Sequence, residues 1–214
     1  MSGILDLLNS DLGKTIISGV SQETRQPRDK TSNLLTMALP VLMQAMKRNS
    51  STTEGAEGLM GALSNKHDGS ILDNLEGLFG GGVDKSVKDD GGKILGHILG
   101  GNQPNVERAL GSKSGIDAGS VGQILKVAAP ILMGVLGKQK RQQAVHSTSD
   151  LGGLLGGMLK GSKEQEQSFL ESILDADGDG SIIDDVAGMV LGGGGTQKKR
   201  GGLGGLLGGL FGKK

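Results

Sequence analysis

Residues 33–46 read NLLTMALPVLMQAM, and this stretch decides the fold class. Its apolar residues recur at three- and four-residue spacings, from Leu34 through Leu39 to Met46, which places them along one side of a helix. The chain lacks a sustained alternation of apolar and polar residues, which is the pattern typical of strands. The sequence therefore predicts an all-α, multihelical protein.

The same stretch occurs a second time. Residues 123–136 read QILKVAAPILMGVL and align with it without gaps at a shift of 90, since Pro130 minus Pro40 is 90. A proline inside a helix removes a backbone hydrogen bond and clashes with the preceding turn, so we expect a kink or a break at both prolines. The candidate N-caps are Thr31, Ser32 and Ser120.

A duplicated turn follows each copy of the helix. Residues 64–74 read SNKHDGSILDN and residues 175–185 read DADGDGSIIDD. Asp179 minus Asp68 is 111, so the second copy carries about 21 more residues between its helix and its turn, the difference between 111 and 90. Turns and helices are therefore parts of one repeated unit, with an insertion in the second copy.

We infer two homologous helical units, residues 1–90 and residues 91–195, and a Gly/Leu/Lys-rich tail at residues 196–214. In each unit the turn leads into a helical run that ends in glycines, at residues 72–82 and 183–194. Glycine directly after the last periodic residue is typical of a helix end. Both units are thus expected to contain a Pro-kinked helix and a Gly-terminated helix.

The later turn has the oxygen spacing of a calcium site. Calcium takes six to eight oxygen ligands, and an EF-hand loop supplies them from alternate positions with glycine at position 6. Counted from Asp175, carboxylates occupy positions 1, 3 and 5 and Gly180 occupies position 6, whereas position 12 is Val186 and cannot close the shell. The predicted ligands of Ca²⁺ are Asp175, Asp177, Asp179, Ser181 through its carbonyl, Asp185 and, as the alternate, Asp184.

A metal-free interpretation of this turn is also open. The aspartates would then form a solvated turn, with Asp184 and Asp185 at a helix N-terminus, where negative charge is favoured by about 0.3 to 1 kcal/mol. We favour the metal, because D-x-D-x-D-G is a specific spacing and carboxylates about 4 Å apart repel by about 4 kcal/mol at an effective dielectric of 20. The earlier turn has Lys66 in place of Asp177, so we expect it to hold no metal.

Composition restricts the function classes. The chain of 214 residues has 23 basic and 23 acidic residues, so charge gives no bias toward nucleic acid, and without tyrosine or tryptophan there is no platform on which bases could stack. Cysteine is absent, which excludes disulfides and thiolate sites and suits a reducing compartment. We expect a cytoplasmic protein without a secretory leader, and we see no window that approaches a membrane span.

The proline helices, their flanking segments and the acidic turn together resemble the YidB-like family of bacterial proteins, with the second copy carrying an EF-hand-like or dockerin-like loop. The resemblance covers residues 17–82 and 110–194. It implies a multihelical bacterial fold with no established biochemical function and no catalytic residues. The tail beyond residue 195 lies outside it.

A shorter repetition concerns interaction. Residues 151–157 and residues 203–209 both read LGGLLGG. In a helix, Gly152 and Gly156 fall on one face and form the small-xxx-small pattern that lets two helices approach closely. This predicts a homo-oligomer or a protein partner, or alternatively a membrane surface on which the tail docks with its lysines. The alternative without an interaction role is a packed helix at the first copy and a flexible tail at the second.

Catalysis finds little support in the sequence. We expect His67, His97 and His146 to be structural, since nothing in the sequence brings them together. Residues 80–93 lack the residue order of a phosphate-binding loop and are interpreted as a linker between the units. The sequence thus predicts a non-enzymatic, calcium-binding helical protein that acts in protein interaction or self-assembly; the alternative is a peripheral membrane-surface protein.

Overall fold

The computed structural model describes residues 3–160, and every element in that range is a helix or a turn. The all-α prediction is confirmed. The nine α-helices of the described range are α1 (Ile4–Asn9), α2 (Asp11–Thr24), α3 (Arg28–Asn49), α4 (Thr53–Asn65), α5 (Leu75–Gly80), α6 (Lys85–Leu99), α7 (Gln103–Ser114), α8 (Ala118–Gln142) and α9 (Thr148–Leu159). Short 3-10 turns lie at Ser70–Asn74 and Gly100–Asn102.

The sequence repeat is visible in the helix bounds. Helices α2 and α7 end 90 residues apart, and α3 and α8 begin 90 residues apart. The helix end is the same in both copies, because Arg25 and Gly115 each follow the last helical residue in the left-handed conformation, at φ 53° and 68°. Thr52 and Ser147 then cap α4 and α9 through their side-chain hydroxyls. Three successive helices therefore correspond between the copies.

The left-handed position predicts opposite effects for two substitutions. Arg25→Gly should stabilise the fold by about 0.5 to 1 kcal/mol, because a side chain with a Cβ is strained at this φ and glycine is not. Gly115→Ala should destabilise it by about 1 kcal/mol for the same reason. Urea unfolding of the two variants measures both changes, and equal signs would contradict the assignment of Arg25 as the strained counterpart of Gly115.

The two copies interlock. Helix α4 of the first copy packs against α8 of the second, and α9 of the second packs against α3 of the first. The buried apolar side chains from Ile4 to Met158 accordingly form one cluster that crosses the boundary between residues 90 and 91. The boundary between the two units stays a prediction drawn from the sequence repeat, since the described residues on both sides of it share one core.

Neither proline breaks its helix. Both α3 and α8 run continuously through Pro40 and Pro130, so the expected break is absent, while the expected kink stays a prediction. The N-cap predictions were wrong. Helix α3 begins earlier, after Pro27, and α8 begins after Asp117, whose carboxylate accepts from the backbone N–H of Ser120 at 2.9 Å. Thr31 is instead buried inside α3, where its hydroxyl donates to the Pro27 carbonyl at 3.0 Å, and Ser32 and Ser120 lie within their helices.

The predicted linker is wrong as well. Residues 85–93 form the first half of α6, which packs mainly on α8.

Helix α8 also corrects the expectation about membrane spans, since its 25 residues include an 18-residue window of mean hydropathy 1.5. By length and composition this helix could cross a bilayer, but 78% of the window is buried inside the fold, as in the core helix of a globular domain.

Candidate functional site: the α4–α6 cleft and the glycine face of α9

A cleft of about 660 Å³ opens between α4 and α6 and is closed below by α3 and α8. We call it the α4–α6 cleft. Its floor is apolar, with Met46 and Met133 almost completely buried beneath it. Its lip is polar. The lining residues used below are Gly58 and Leu59 on α4, Lys66 and His67 after α4, and Asp90, Lys93, Ile94, His97 and Ile98 on α6.

One end of the cleft holds a histidine between two charges. The His67 side chain is only 7% exposed, and its Nε2 lies 3.5 Å from a carboxylate oxygen of Asp90, which is too long for a strong hydrogen bond. The other oxygen of Asp90 accepts from the Lys66 ammonium. Burial lowers the pKa of His67 and outweighs the negative charge of Asp90, which acts to raise it, so the imidazole is neutral at pH 7 and Asp90 is balanced by Lys66.

Two glycines bring these groups together. At Gly91, next to Asp90, a methyl group would overlap the backbone carbonyl of Lys126, so α6 lies directly against α8 at this point. At Gly137, on α8, a methyl group would overlap the carbonyl of His67, so the turn after α4 also lies directly on α8. Helix α8 is thus the common base on which His67 and Asp90 meet.

The earlier acidic turn is stabilised by hydrogen bonds and an ion pair with other residues of the chain. Asp68 accepts from the backbone N–H of Ser70 at 3.0 Å, and its second oxygen lies 3.3 Å from the Arg141 guanidinium of α8. These hydrogen bonds from Ser70, followed by the charge of Arg141, lower the pKa of Asp68. Gly69 takes φ 107° in this turn, a conformation that favours glycine.

The segment with the LGGLLGG repeat forms α9, and its two faces differ sharply. The leucine face is buried in the core, as Leu151, Leu154 and Leu155 are at most 2% exposed. The opposite face carries Gly152, Gly153, Gly156 and Gly157, and a methyl group at any of them would meet no atom of the described residues within 4 Å. We call this surface the glycine face of α9. It makes no close helix contact within the described part of the chain.

The predicted calcium ligands Asp175, Asp177, Asp179, Ser181, Asp184 and Asp185 lie outside the described residues, as does the second LGGLLGG copy at residues 203–209. Among residues 3–160, no group of three or more histidine, aspartate or glutamate side chains is placed to hold a metal ion. The calcium site therefore stays a prediction from spacing.

Sequence reasoning missed the cleft. It treated His67 and His97 as unrelated, whereas both line the α4–α6 cleft. The signal available in the sequence was weak: Asp90, Lys93 and His97 recur at helical spacing, but the glycines around them made a linker the simpler interpretation. His146 is exposed before α9 and does not reach the cleft.

Comparison with known proteins gives one match. A family model described as a bacterial protein of unknown function (DUF937) matches residues 6–139 and 141–214. No curated protein and no solved structure matches the chain.

Proposed function

Because the chain belongs to this family of bacterial proteins of unknown function, we propose its role from its own surface: it is a non-enzymatic protein that assembles with further copies of itself. The glycine face of α9 is the contact surface in this proposal. The observation that carries it is the division of α9 into a buried leucine face and an open glycine face. We also propose that, within this family, the chain is of the YidB-like type that its sequence resembles.

The energetic argument concerns the cost of these glycines. Each helical glycine destabilises a helix by about 1 kcal/mol relative to alanine, and α9 contains four of them in 12 residues. Close packing within the fold would account for such glycines, as it does at Gly91 and Gly137, but nothing lies near those of α9 in the described part of the chain. A second helix approaching this face would account for them, because small residues let two backbones come close.

The repeated sequence supports a second copy as the partner. Residues 203–209 are identical to residues 151–157, so every chain carries two segments able to offer the same combination of leucines and glycines. Non-enzymatic action stays a prediction from the sequence, in which nothing brings the three histidines together.

A single added side chain tests the assembly. Gly156→Leu should lower the mass measured by light scattering toward the monomer value of 21.8 kDa, because the leucine holds the second helix away. The variant should still fold, since leucine is the better helix former by about 0.8 kcal/mol. Gly96→Leu on α6, another glycine with open space around it, is the control and should leave the mass unchanged.

Two results would contradict the proposal. One is a wild-type chain that is already monomeric, and the other is an unchanged mass in Gly156→Leu. Deletion of residues 201–214 distinguishes the roles of the two LGGLLGG copies. If this deletion lowered the mass and Gly156→Leu did not, assembly would be assigned to the tail. Binding of the tail to anionic vesicles, without any change in mass, would favour the membrane-surface alternative.

We further propose that the later acidic turn binds Ca²⁺ and that the ion is structural. The support is the spacing of Asp175, Asp177 and Asp179 before Gly180, together with an internal comparison. In the earlier turn, Lys66 replaces one of these carboxylates and pairs with Asp90. The duplication therefore provides one turn with the charge for a cation and one in which a lysine already balances it.

Calcium titration by calorimetry tests this site. Wild-type protein should release or absorb heat, and both Asp177→Ala and Asp179→Ala should abolish that heat by removing a ligand oxygen. At a calcium concentration 100 times the Kd, the bound ion should also stabilise the fold by about 2.7 kcal/mol. Asp68→Ala in the earlier turn is the matched control and should leave the heat intact; loss of heat there, or no heat in the wild type, would refute the assignment.

A further inference from the structure

The α4–α6 cleft has the shape of a site for a chain-like apolar group. Its volume of about 660 Å³ falls within the range of about 300 to 1,000 Å³ that small-molecule sites occupy. The walls are Leu59 on one side and Ile94 and Ile98 on the other, above two methionines. Methionine and aliphatic walls adapt to a flexible chain, whereas a planar aromatic ligand would find no phenylalanine, tyrosine or tryptophan among the described lining residues.

The charges at the lip favour an anionic head group. Lys66 is already paired with Asp90, so it offers little to a ligand. Lys93 makes no salt bridge within 4 Å in the described part of the chain, although its charge acts on Asp89 one turn earlier, and it stands one helical turn before His97 on the same side of α6. Their neighbours Ile94 and Ile98 continue the same side downward into the floor. An anion beside Lys93 would thus sit directly above the apolar floor. Glu54 also lines the cleft and repels anions, so a ligand with one negative charge is favoured over a ligand with two.

We propose that the α4–α6 cleft binds a single-chain aliphatic carboxylate, with its hydrocarbon chain along the floor and its carboxylate at Lys93 and His97. The ligand is the monomeric acid and not a membrane surface, because the apolar groups lie at the bottom of a cleft and Met46 and Met133 are buried beneath it. This site is separate from the glycine face of α9, and assembly of the protein is not required for it.

A chain-length series measures the apolar contribution. Octanoate, decanoate and dodecanoate are titrated into the full-length protein below their critical micelle concentrations. Each added methylene should lower the Kd about fourfold until the cleft is filled, so each step of two methylenes should lower it about fifteenfold. The absence of binding by all three acids, or a Kd that does not depend on chain length, would overturn the proposal.

Two variants locate the site. Gly58→Leu places a side chain in the open space of the cleft from the α4 wall and should abolish binding of dodecanoate without loss of fold, since helix propensity improves. Gly61→Leu, an equally open position on α4 outside the cleft lining, should bind as the wild type does. Binding that survives Gly58→Leu would place the ligand elsewhere and refute the assignment.

The head group is tested by charge reversal. Lys93→Glu should weaken decanoate at least about tenfold, since one attraction is replaced by a repulsion, and should leave the uncharged decanol unchanged. Equal effects on both ligands would contradict a carboxylate at Lys93. Association with anionic phosphatidylglycerol vesicles, without binding of the monomeric acids, would also contradict the proposal and identify a lipid surface as the partner.

Discussion

Gly91→Ala is expected to destabilise the protein by about 3 kcal/mol, near the upper end of the usual cost of overpacking. The added methyl group would overlap the carbonyl oxygen of Lys126, which belongs to the backbone of α8 and cannot rotate away as a side chain can. Helix α6 would have to move off α8, its main packing partner. Because Asp90 is the preceding residue, we also expect the contact between Asp90 and His67 to be lost.

The adjacent residue provides the control. Gly92 is the next position of the same helix, and a methyl group there would meet only the end of the Lys126 side chain, at 3.9 Å. Gly92→Ala should therefore stabilise the protein by about 0.5 to 1 kcal/mol through helix propensity alone. Urea denaturation of both variants measures the difference. Equal effects in the two variants would show that α6 does not lie against the α8 backbone.

The helices of this fold could be predicted from the sequence because their cause is local. Apolar residues at three- and four-residue spacing define α3 and α8, and the shift of 90 residues between Pro40 and Pro130 recurs in the helix bounds. Helix α6 was missed because three of its 15 residues are glycines, which by propensity argue for a linker. Gly91 lies there because α8 comes close, and a close approach between helices distant in sequence leaves no local signal.

The site was harder to predict than the fold, for a similar reason. His67 and Asp90 meet on α8, although they are 23 positions apart in the chain and two further helical segments lie between them. The repeat gives no help with this residue, because alignment with the later turn places Gly178 opposite His67, which argues against a role for the histidine. The calcium site could be predicted from the sequence alone, since its proposed ligands are close together in the chain and their spacing is that of a calcium-binding loop.

Leu35→Ala and Leu125→Ala should each destabilise the protein by about 2 to 5 kcal/mol, the cost of removing a buried leucine and leaving a cavity. The two residues occupy equivalent positions of the repeat, since 125 minus 35 is 90, and both are fully buried. Each belongs to the core that the two copies share. Thermal and urea unfolding, followed by circular dichroism, measure the loss in both variants.

The shape of the unfolding transition tests the interlocked core. With α4 packed on α8 and α9 on α3, neither copy can lose its core while the other keeps it, so either substitution should shift the same single transition. Leu59→Ala, at a half-buried position on the cleft wall, is the control and should shift that transition by a smaller amount. If Leu35→Ala lowered one transition and Leu125→Ala another, residues 1–90 and 91–195 would be independent domains, and the contacts of α4 and α9 with the opposite copy would contribute little to stability.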